Sequence, residues 1–110
     1  MRRRSTFDPG EQPAAVTLVE GRTLRCQGSW TMSAVAPAER ILAVMDWPQG
    51  GSFRFEGSGI AAFDTGGAVV LSRAVMAARH RGCEVTVEGL RTEYLQLMRL
   101  VSANWSVMMA

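Results

Sequence analysis

The feature that most constrains the fold of this chain is a change of hydrophobic period between residues 53 and 82. Phe53 and Phe55 alternate with Arg54 and Glu56, and a spacing of two residues is typical of a half-buried strand. From residue 68 the spacing becomes 3.6, which is typical of an amphipathic helix. The residues that recur on one side of this helix are Ala68, Leu71, Ser72, Val75 and Ala78 or Arg79. The pattern therefore predicts a strand over 52–56, a loop, and a helix over about 66–80.

Four residues between these two patterns have polar or very small side chains: Asp64, Thr65, Gly66 and Gly67. Thr65 is predicted to lie near the start of the helix, where its hydroxyl would cap a free backbone N–H group. Gly66 and Gly67 have no side chain, so another molecule would be able to approach their backbone closely. The segment is therefore predicted to be either a site of chemistry or a docking surface.

The whole chain predicts the order strand, strand, helix, strand, helix, strand, helix. Residues 15–20 and 23–29 flank the short turn Gly21-Arg22, which predicts an antiparallel hairpin. Strands that alternate with helices in the second half imply right-handed crossovers and parallel pairing. The sequence therefore predicts an α/β fold with a mixed, partly parallel sheet.

Apolar stripes define the first and last helices and the side that each one buries. The stripe predicted for a helix over 33–47 consists of Ala38, Ile41, Leu42 and Met45. A strand over 83–88 follows the second helix, and Thr92 is then predicted to cap the last helix. The predicted buried side of that helix consists of Tyr94, Leu95, Leu97, Met98 and Val101.

Length and charge exclude several classes of protein. With 110 residues the chain is long enough for one domain. The net charge of +2 comes from scattered arginines and does not predict a nucleic-acid partner. No apolar run follows the arginines at 2–4, and no stretch reaches the ~18 apolar residues that a membrane span requires. The chain as given is expected to be cytoplasmic.

The metal-binding and redox-active residue types are few and separated. Cys26 and Cys83 would form either a bridge or two reduced core thiols, and the second interpretation is favoured because free cysteine is commonly buried. His80 lies between two arginines at a helix end and is interpreted as a solvated base. This spacing matches no metal-ligand pattern, so no metal and no cofactor are predicted.

Two enzyme motifs match only in part. Residues 57–62 read G-x-G-x-x-A after a strand and Glu88 follows, as in a dinucleotide-binding site, but Gly66-Gly67 would then fall inside the phosphate-binding helix. Residues 64–66 read D-T-G as in aspartic proteases, whose fold is almost entirely strand. The single histidine on a charged helix end does not support a nucleophilic triad. The sequence therefore favours a protein that is not an enzyme.

Two runs carry a resemblance to a known family: Glu56-Gly57-Ser58-Gly59-Ile60 and Phe63-Asp64-Thr65-Gly66-Gly67. In this order of elements they resemble a STAS domain, the fold of anti-sigma-factor antagonists. The family's D-[S/T]-x-G loop caps the following helix and contacts the partner protein. The resemblance implies a STAS domain over 14–101 with its helices mainly on one face of the sheet. Residues 1–13 would form a disordered arm.

One branch of the family fits best, because Gly28-Ser29-Trp30-Thr31 and the D-T-G-G-A run look like the STAS domains of bacterial Mla-type phospholipid ABC transporters. That resemblance implies the N-terminal part of a permease, at the cytoplasmic face of the inner membrane, docked on the ATPase subunit through the 57–68 loop and the next helix. The implied partner-binding residues are Ser58, Asp64, Thr65, Gly66, Gly67 and Arg73. The alternative is a stand-alone anti-sigma-factor antagonist whose Thr65 is phosphorylated by a partner serine kinase.

The last residues, 102–110, are uncharged and include Trp105 and Met108. They are interpreted as an apolar tail that leads out of the domain. Because large apolar side chains need cover from water, the tail is predicted to be helical or self-associated.

Overall fold

The structure of the chain, a computed structural model, describes residues 11–104. These residues form four strands and three helices in the predicted order, which confirms the α/β fold class. The elements are β1 (Ala15–Val19), β2 (Thr23–Trp30), α1 (Ala36–Ala43), β3 (Ser52–Phe63), α2 (Thr65–His80), β4 (Glu84–Glu88) and α3 (Thr92–Ala103). Most of the predicted arm and tail, residues 1–10 and 105–110, lies outside the described residues.

The four strands form one mixed sheet in the order β1-β2-β3-β4. β1 pairs antiparallel with β2, whereas β2–β3 and β3–β4 are parallel pairs, as the strand–helix alternation predicts. Glu20 and Gly21, with φ of 53° and 74°, make the tight turn between β1 and β2. Pro13 bridges to Ser29 beyond the end of this hairpin, so the chain is already ordered two residues before β1.

The helices cover one face of the sheet, and the other face is polar. Phe53, Phe55 and Ile60 of β3 are buried in a single apolar core that includes residues from all three helices. The alternate residues of the strands, which face the other side of the sheet, are exposed; examples are Arg25, Arg54 and Thr86. Arg54 forms an ion pair with Glu88 across this outer face at 3.4 Å. The sheet therefore has the one-sided covering that the STAS resemblance implies.

β3 is much longer than predicted, so the expected loop over 57–63 is wrong. Its pairing with β2 passes from Arg25↔Glu56 to Gln27↔Gly59 and later from Gly28↔Ile60 to Ser29↔Ala62. At each of these bulges β3 carries one residue more than β2. β4 pairs only with residues 52–56 of β3, so the second half of β3 has a strand neighbour on one side alone.

α1 is shorter than the predicted helix over 33–47. Ile41, expected on its buried side, is 49% exposed, so that part of the predicted stripe is wrong. Pro48 disfavours a helical conformation for the residue before it. Trp47 instead packs edge-on against Phe53, with 5.4 Å between the ring centroids, and this contact takes the chain away from the helical path.

The last helix agrees with its predicted stripe only in part: Met98 and Val101 are buried, whereas Tyr94, Leu95 and Leu97 are half-buried. Thr92 is not the cap, because Arg91 occupies that position and makes no side-chain capping bond. Cys26 and Cys83 are both buried and free, which confirms the interpretation as reduced thiols. Within residues 11–104, no helix is long and apolar enough to cross a bilayer.

Candidate functional site

The start of α2 is held by the carboxylate of Asp64, the single residue between β3 and the helix. Asp64 Oδ1 accepts a hydrogen bond from the Gly67 backbone N–H at 3.2 Å, which is an N-cap. Its Oδ2 accepts from the Met32 N–H at 3.0 Å, just after the end of β2. The Asp64 N–H donates to the Trp30 carbonyl at 3.2 Å. One side chain therefore joins the end of β2 to the first turn of α2.

The sequence predicts Thr65 as the cap of α2, and this prediction is wrong. Thr65 is the first residue of the helix. Both residue types are good N-caps, and Asp64 takes the position because its extended backbone (φ −135°, ψ −170°) turns its carboxylate back to the free N–H groups. The Thr65 side chain is exposed, and within residues 11–104 its hydroxyl makes no hydrogen bond to another side chain or to the backbone. The hydroxyl is therefore open to solvent or to another molecule.

The two glycines of the first turn lie against the chain itself. A Cβ on Gly67 would lie 1.9 Å from the Trp30 carbonyl oxygen, so this glycine allows α2 to pack on the end of β2. A Cβ on Gly66 would lie 2.5 Å from Met32 Cγ. The expectation that both glycines leave bare backbone for a partner is therefore wrong at Gly67, which is buried. Gly66 is half-buried, and its nearest neighbour is the side chain of Met32.

Ser58 lies on β3, away from the start of α2. Five residues separate it from the end of β3, about 15 Å at the usual rise of a strand. Its backbone N–H donates to Glu56 Oε2 at 3.0 Å. Hydrogen bonding from the Ser58 side chain is the largest effect on Glu56 and lowers its pKa. The Ser58 N–H and the charge of Arg25 lower the pKa further, and burial opposes them. Ser58 therefore belongs to the junction of β4 and α3, where Gly89 faces Glu56.

Arg73 lies two turns along α2 from Thr65, and its guanidinium faces α1. Arg73 Nη1 is 3.2 Å from Glu39 Oε2, with both side chains about half exposed. This ion pair connects α2 to α1 through Nη1, so the predicted role of Arg73 at the rim of the Thr65 surface depends on its remaining N–H donors. Of the six predicted residues, the structure brings together Asp64, Thr65, Gly66 and Gly67 and separates Ser58 and Arg73 from them.

Sequence reasoning missed two neighbours of this corner. Met32 is 79% exposed while its backbone is held by Asp64, and no periodic pattern marks it. On the other side, the ring of Tyr94 from α3 stacks on Phe63 with 5.1 Å between centroids, and the Arg91 guanidinium lies 5.7 Å from the Tyr94 ring. We call the surface formed by Met32, Asp64, Thr65 and Gly66 the Asp64 corner.

The Asp64 corner presents a hydroxyl and a thioether on a backbone that Asp64 holds. His80 lies at the other end of α2, fifteen residues and about 22 Å from Thr65 at 1.5 Å per residue, so it does not reach the hydroxyl as a base. Burial, with a smaller effect of Glu56, raises the pKa of the Cys26 thiol to about 12. Among residues 11–104, no group of three or more histidine, cysteine or acidic side chains could hold a metal ion.

Comparisons with known proteins do not add an identity to this geometry: no protein-family model matches the chain, and no curated protein matches it.

Proposed function

We propose that this chain is a non-enzymatic docking module of the STAS type. In this proposal it is the N-terminal part of a lipid-transport permease and binds the ATPase subunit of a Mla-type ABC transporter at the cytoplasmic face of the inner membrane. The family and the partner come from the resemblance of the two sequence runs. The observation that carries the docking surface is the Asp64 corner, where an exposed hydroxyl and an exposed thioether share one anchored backbone.

The backbone of the Asp64 corner is held in place by hydrogen bonds within the chain, without a partner. Asp64 makes hydrogen bonds to both Met32 and Gly67, so the end of β2 and the start of α2 cannot separate without losing them. A preorganised surface loses less conformational entropy on binding than a mobile loop does. The corner is therefore suited to specific recognition despite its small area.

The exposed groups of the Asp64 corner, a thioether and a hydroxyl, have the chemistry of a protein interface. Met32 supplies an adaptable apolar side chain, a type that is enriched in the centres of protein interfaces. The Thr65 hydroxyl beside it can donate and accept one hydrogen bond with a partner. Both oxygens of the Asp64 carboxylate accept hydrogen bonds from backbone N–H groups of the chain, so its negative charge is already partly solvated at the centre of this surface.

The test is co-purification of the chain with the ATPase subunit encoded beside it, for wild type, Thr65→Glu, Thr65→Ala and the control Thr86→Glu. A glutamate at position 65 is compatible with the fold, because a carboxylate near a helix N-terminus is favourable. At an interface it would bury an unpaired charge, so Thr65→Glu should lose the complex while keeping its melting temperature. Thr65→Ala should weaken binding by about 0.5–1.5 kcal/mol.

Thr86 is an exposed threonine on the outer face of β4, so Thr86→Glu introduces the same charge away from the corner. It should bind the ATPase like wild type. If Thr65→Glu also binds like wild type, the Asp64 corner is not the docking surface and the proposal fails.

A second candidate function is supported by the accessibility of the Thr65 hydroxyl. A stand-alone anti-sigma-factor antagonist would be phosphorylated there by a partner serine kinase. Incubation with the kinase and ATP should then add one phosphate group to wild type and none to Thr65→Val, as measured by intact mass. Phosphate on Thr65→Val, or none on wild type, would exclude the switch at this residue.

A further inference from the structure

A groove of about 690 Å³ lies between α2 and α3, at the opposite end of α2 from the Asp64 corner. Its apolar lining comes from Val75 and Met76 of α2, Leu95 and Met98 of α3 and Val87 of β4. Because β4 belongs to the sheet under the helices, the groove reaches down between them to the sheet. Val75 and Met98 are buried, whereas Met76 is 45% exposed, so most of the apolar lining is recessed.

The ionisable side chains that line the groove in the described part of the chain are all basic. Arg79, near the end of α2, and Arg99 of α3 line it together with His80. Both arginines are exposed, and within residues 11–104 neither forms an ion pair. The rim therefore complements an anionic group, and a guanidinium binds a carboxylate through two parallel N–H···O bonds.

The interior of the groove suits a hydrocarbon chain. The buried polar side chain that lines it is Ser72, and its hydroxyl donates to Met98 Sδ at 3.5 Å, so its hydrogen atom is already used within the chain. The thioethers of Met76 and Met98 are flexible and polarisable, and such groups adapt to apolar surfaces of irregular shape. An occupant is therefore expected to be apolar inside the groove and anionic at its rim.

The size and depth of the groove distinguish between occupants. Its volume lies in the range of about 300–1,000 Å³ that is usual for small-molecule sites. It follows α3 for about 10 Å from Leu95 to Ser102, which is too short for the roughly 800 Å² that each partner buries in a standard protein interface. A membrane surface is met by apolar side chains that protrude, whereas Val75 and Met98 are recessed. A small amphiphile fits these observations best.

We propose that the groove between α2 and α3 binds a fatty acid, with its hydrocarbon chain between the two helices and its carboxylate paired with Arg79 or Arg99 at the rim. This site uses no residue of the Asp64 corner, so it goes beyond the docking function and is tested independently of it. A ligand in this position contacts both helices, so it should also raise the melting temperature of the domain.

The test is titration of the full chain with dodecanoate, below the concentration at which it forms micelles, by isothermal titration calorimetry. We expect saturable binding of one molecule per chain. Dodecyltrimethylammonium has a hydrocarbon chain of the same length and the opposite charge. It should bind at least about fivefold more weakly, because it gains no ion pair at the rim.

The double variant Arg79→Gln, Arg99→Gln removes both rim charges at exposed positions and should weaken dodecanoate binding at least about fivefold. Arg40→Gln is the matched control, because it removes an exposed arginine of α1 outside the groove, and it should bind like wild type. Met76→Glu places a carboxylate inside the groove and should abolish binding, whereas Met32→Glu, at an exposed methionine elsewhere, should not. Circular dichroism melting curves establish that each variant is folded.

Two results would overturn the proposal. The first is the absence of saturable dodecanoate binding by the folded full chain, as expected if another part of the chain or a second copy covers the groove. Co-sedimentation with phosphatidylglycerol vesicles that depends on Arg79 and Arg99 would then identify a membrane surface as the occupant. The second is equal affinity for dodecanoate and dodecyltrimethylammonium, or equal affinity of the double arginine variant and Arg40→Gln for dodecanoate.

Discussion

The N-termini of α2 and α3 share a threonine as first residue and are held by different interactions. Each helix begins with a threonine, Thr65 or Thr92, as its first residue. In α2 the preceding Asp64 caps the helix and also binds Met32 from β2. In α3 the preceding Arg91 makes no capping bond, and the helix is held instead by the stacking of Tyr94 on Phe63.

This difference shows that the start of a helix in this domain is determined by the contact that another element makes with it. At α2, the carboxylate of Asp64 accepts hydrogen bonds from both the N–H of Met32 and the first turn of the helix. At α3, the second half of β3 lacks a strand neighbour on one side, and the Tyr94 ring covers it, with the phenol O–H 3.4 Å from the Ala61 carbonyl. Hydrogen bonds therefore position α2, whereas aromatic packing positions α3.

The largest expected effect is that of Gly67→Ala, which tests the contact of α2 with β2. The new Cβ would lie 1.9 Å from the Trp30 carbonyl, so backbone must move, and we expect a loss of about 3 kcal/mol or more in the free energy of unfolding. The gain of about 1 kcal/mol in helix propensity does not offset this loss. Urea denaturation measures it.

Gly66→Ala is the matched control, because the nearest atom to its Cβ would be Cγ of the exposed Met32 side chain, which can rotate, and the nearest backbone atom, Met32 Cα, would lie 3.1 Å away. It should stay within about 1 kcal/mol of wild type. Equal losses for the two alanines would contradict the distinction between the buried and the half-buried glycine.

Asp64→Ala tests the hydrogen bonds that hold α2. It removes the cap and the acceptor of the Met32 N–H, so we expect a loss of about 1–3 kcal/mol in stability. Asp64→Asn should restore only the part that is due to the cap, because an amide has one acceptor oxygen and its NH2 group cannot accept from the second backbone N–H. Arg91→Ala, at the corresponding position of α3, should cost less than about 1 kcal/mol, and a larger cost than that of Asp64→Ala would reverse the comparison.

Tyr94→Ala tests the aromatic contact that holds α3. Loss of the half-buried ring and of its stacking on Phe63 should cost about 1–2 kcal/mol by urea denaturation. Tyr94→Phe keeps the ring and loses only the long bond to Ala61, so it should cost less than about 0.5 kcal/mol. If the phenylalanine variant lost as much as the alanine variant, the hydroxyl and not the ring would hold α3.

The smallest effect concerns the carboxylate of Glu56, which lies beside the turn before α3. In the folded state, hydrogen bonding from Ser58 and the charge of Arg25 lower the pKa of Glu56 below its ordinary value of 4.5. Its stabilising contribution is therefore present above pH 4.5 and is lost as the pH falls through the folded pKa. Because this carboxylate is close to solvent, the contribution should be less than about 1 kcal/mol.

The measurement is the stability of wild type relative to Glu56→Gln between pH 7 and pH 3. The difference should shrink towards acid. A difference that stays constant with pH would show that Ser58 does not favour the charged form.

The order of elements could be predicted from the sequence because most elements keep one hydrophobic period from end to end. Residues 57–63 could not, because each bulge shifts the alternation by one residue: Ser58 and Gly59 are both exposed, and Ile60 is buried. The capping residue could not be assigned either, since Asp64 and Thr65 are both good caps until the N–H of Met32 is placed. The pairing of Arg73 with Glu39 joins residues 34 positions apart, which no local pattern reports.

The two bulges of β3 also have a consequence for insertions and deletions. From the pair Thr23↔Arg54 to the pair Trp30↔Phe63, β3 uses two residues more than β2, so both strands reach the Asp64 corner in the same phase. Deletion of one residue, such as Ala61, would turn every later side chain of the strand to the opposite face and direct Asp64 away from Met32. Deletion of one residue at each bulge would preserve the phase. Length changes in this strand should therefore be tolerated in pairs and rejected singly.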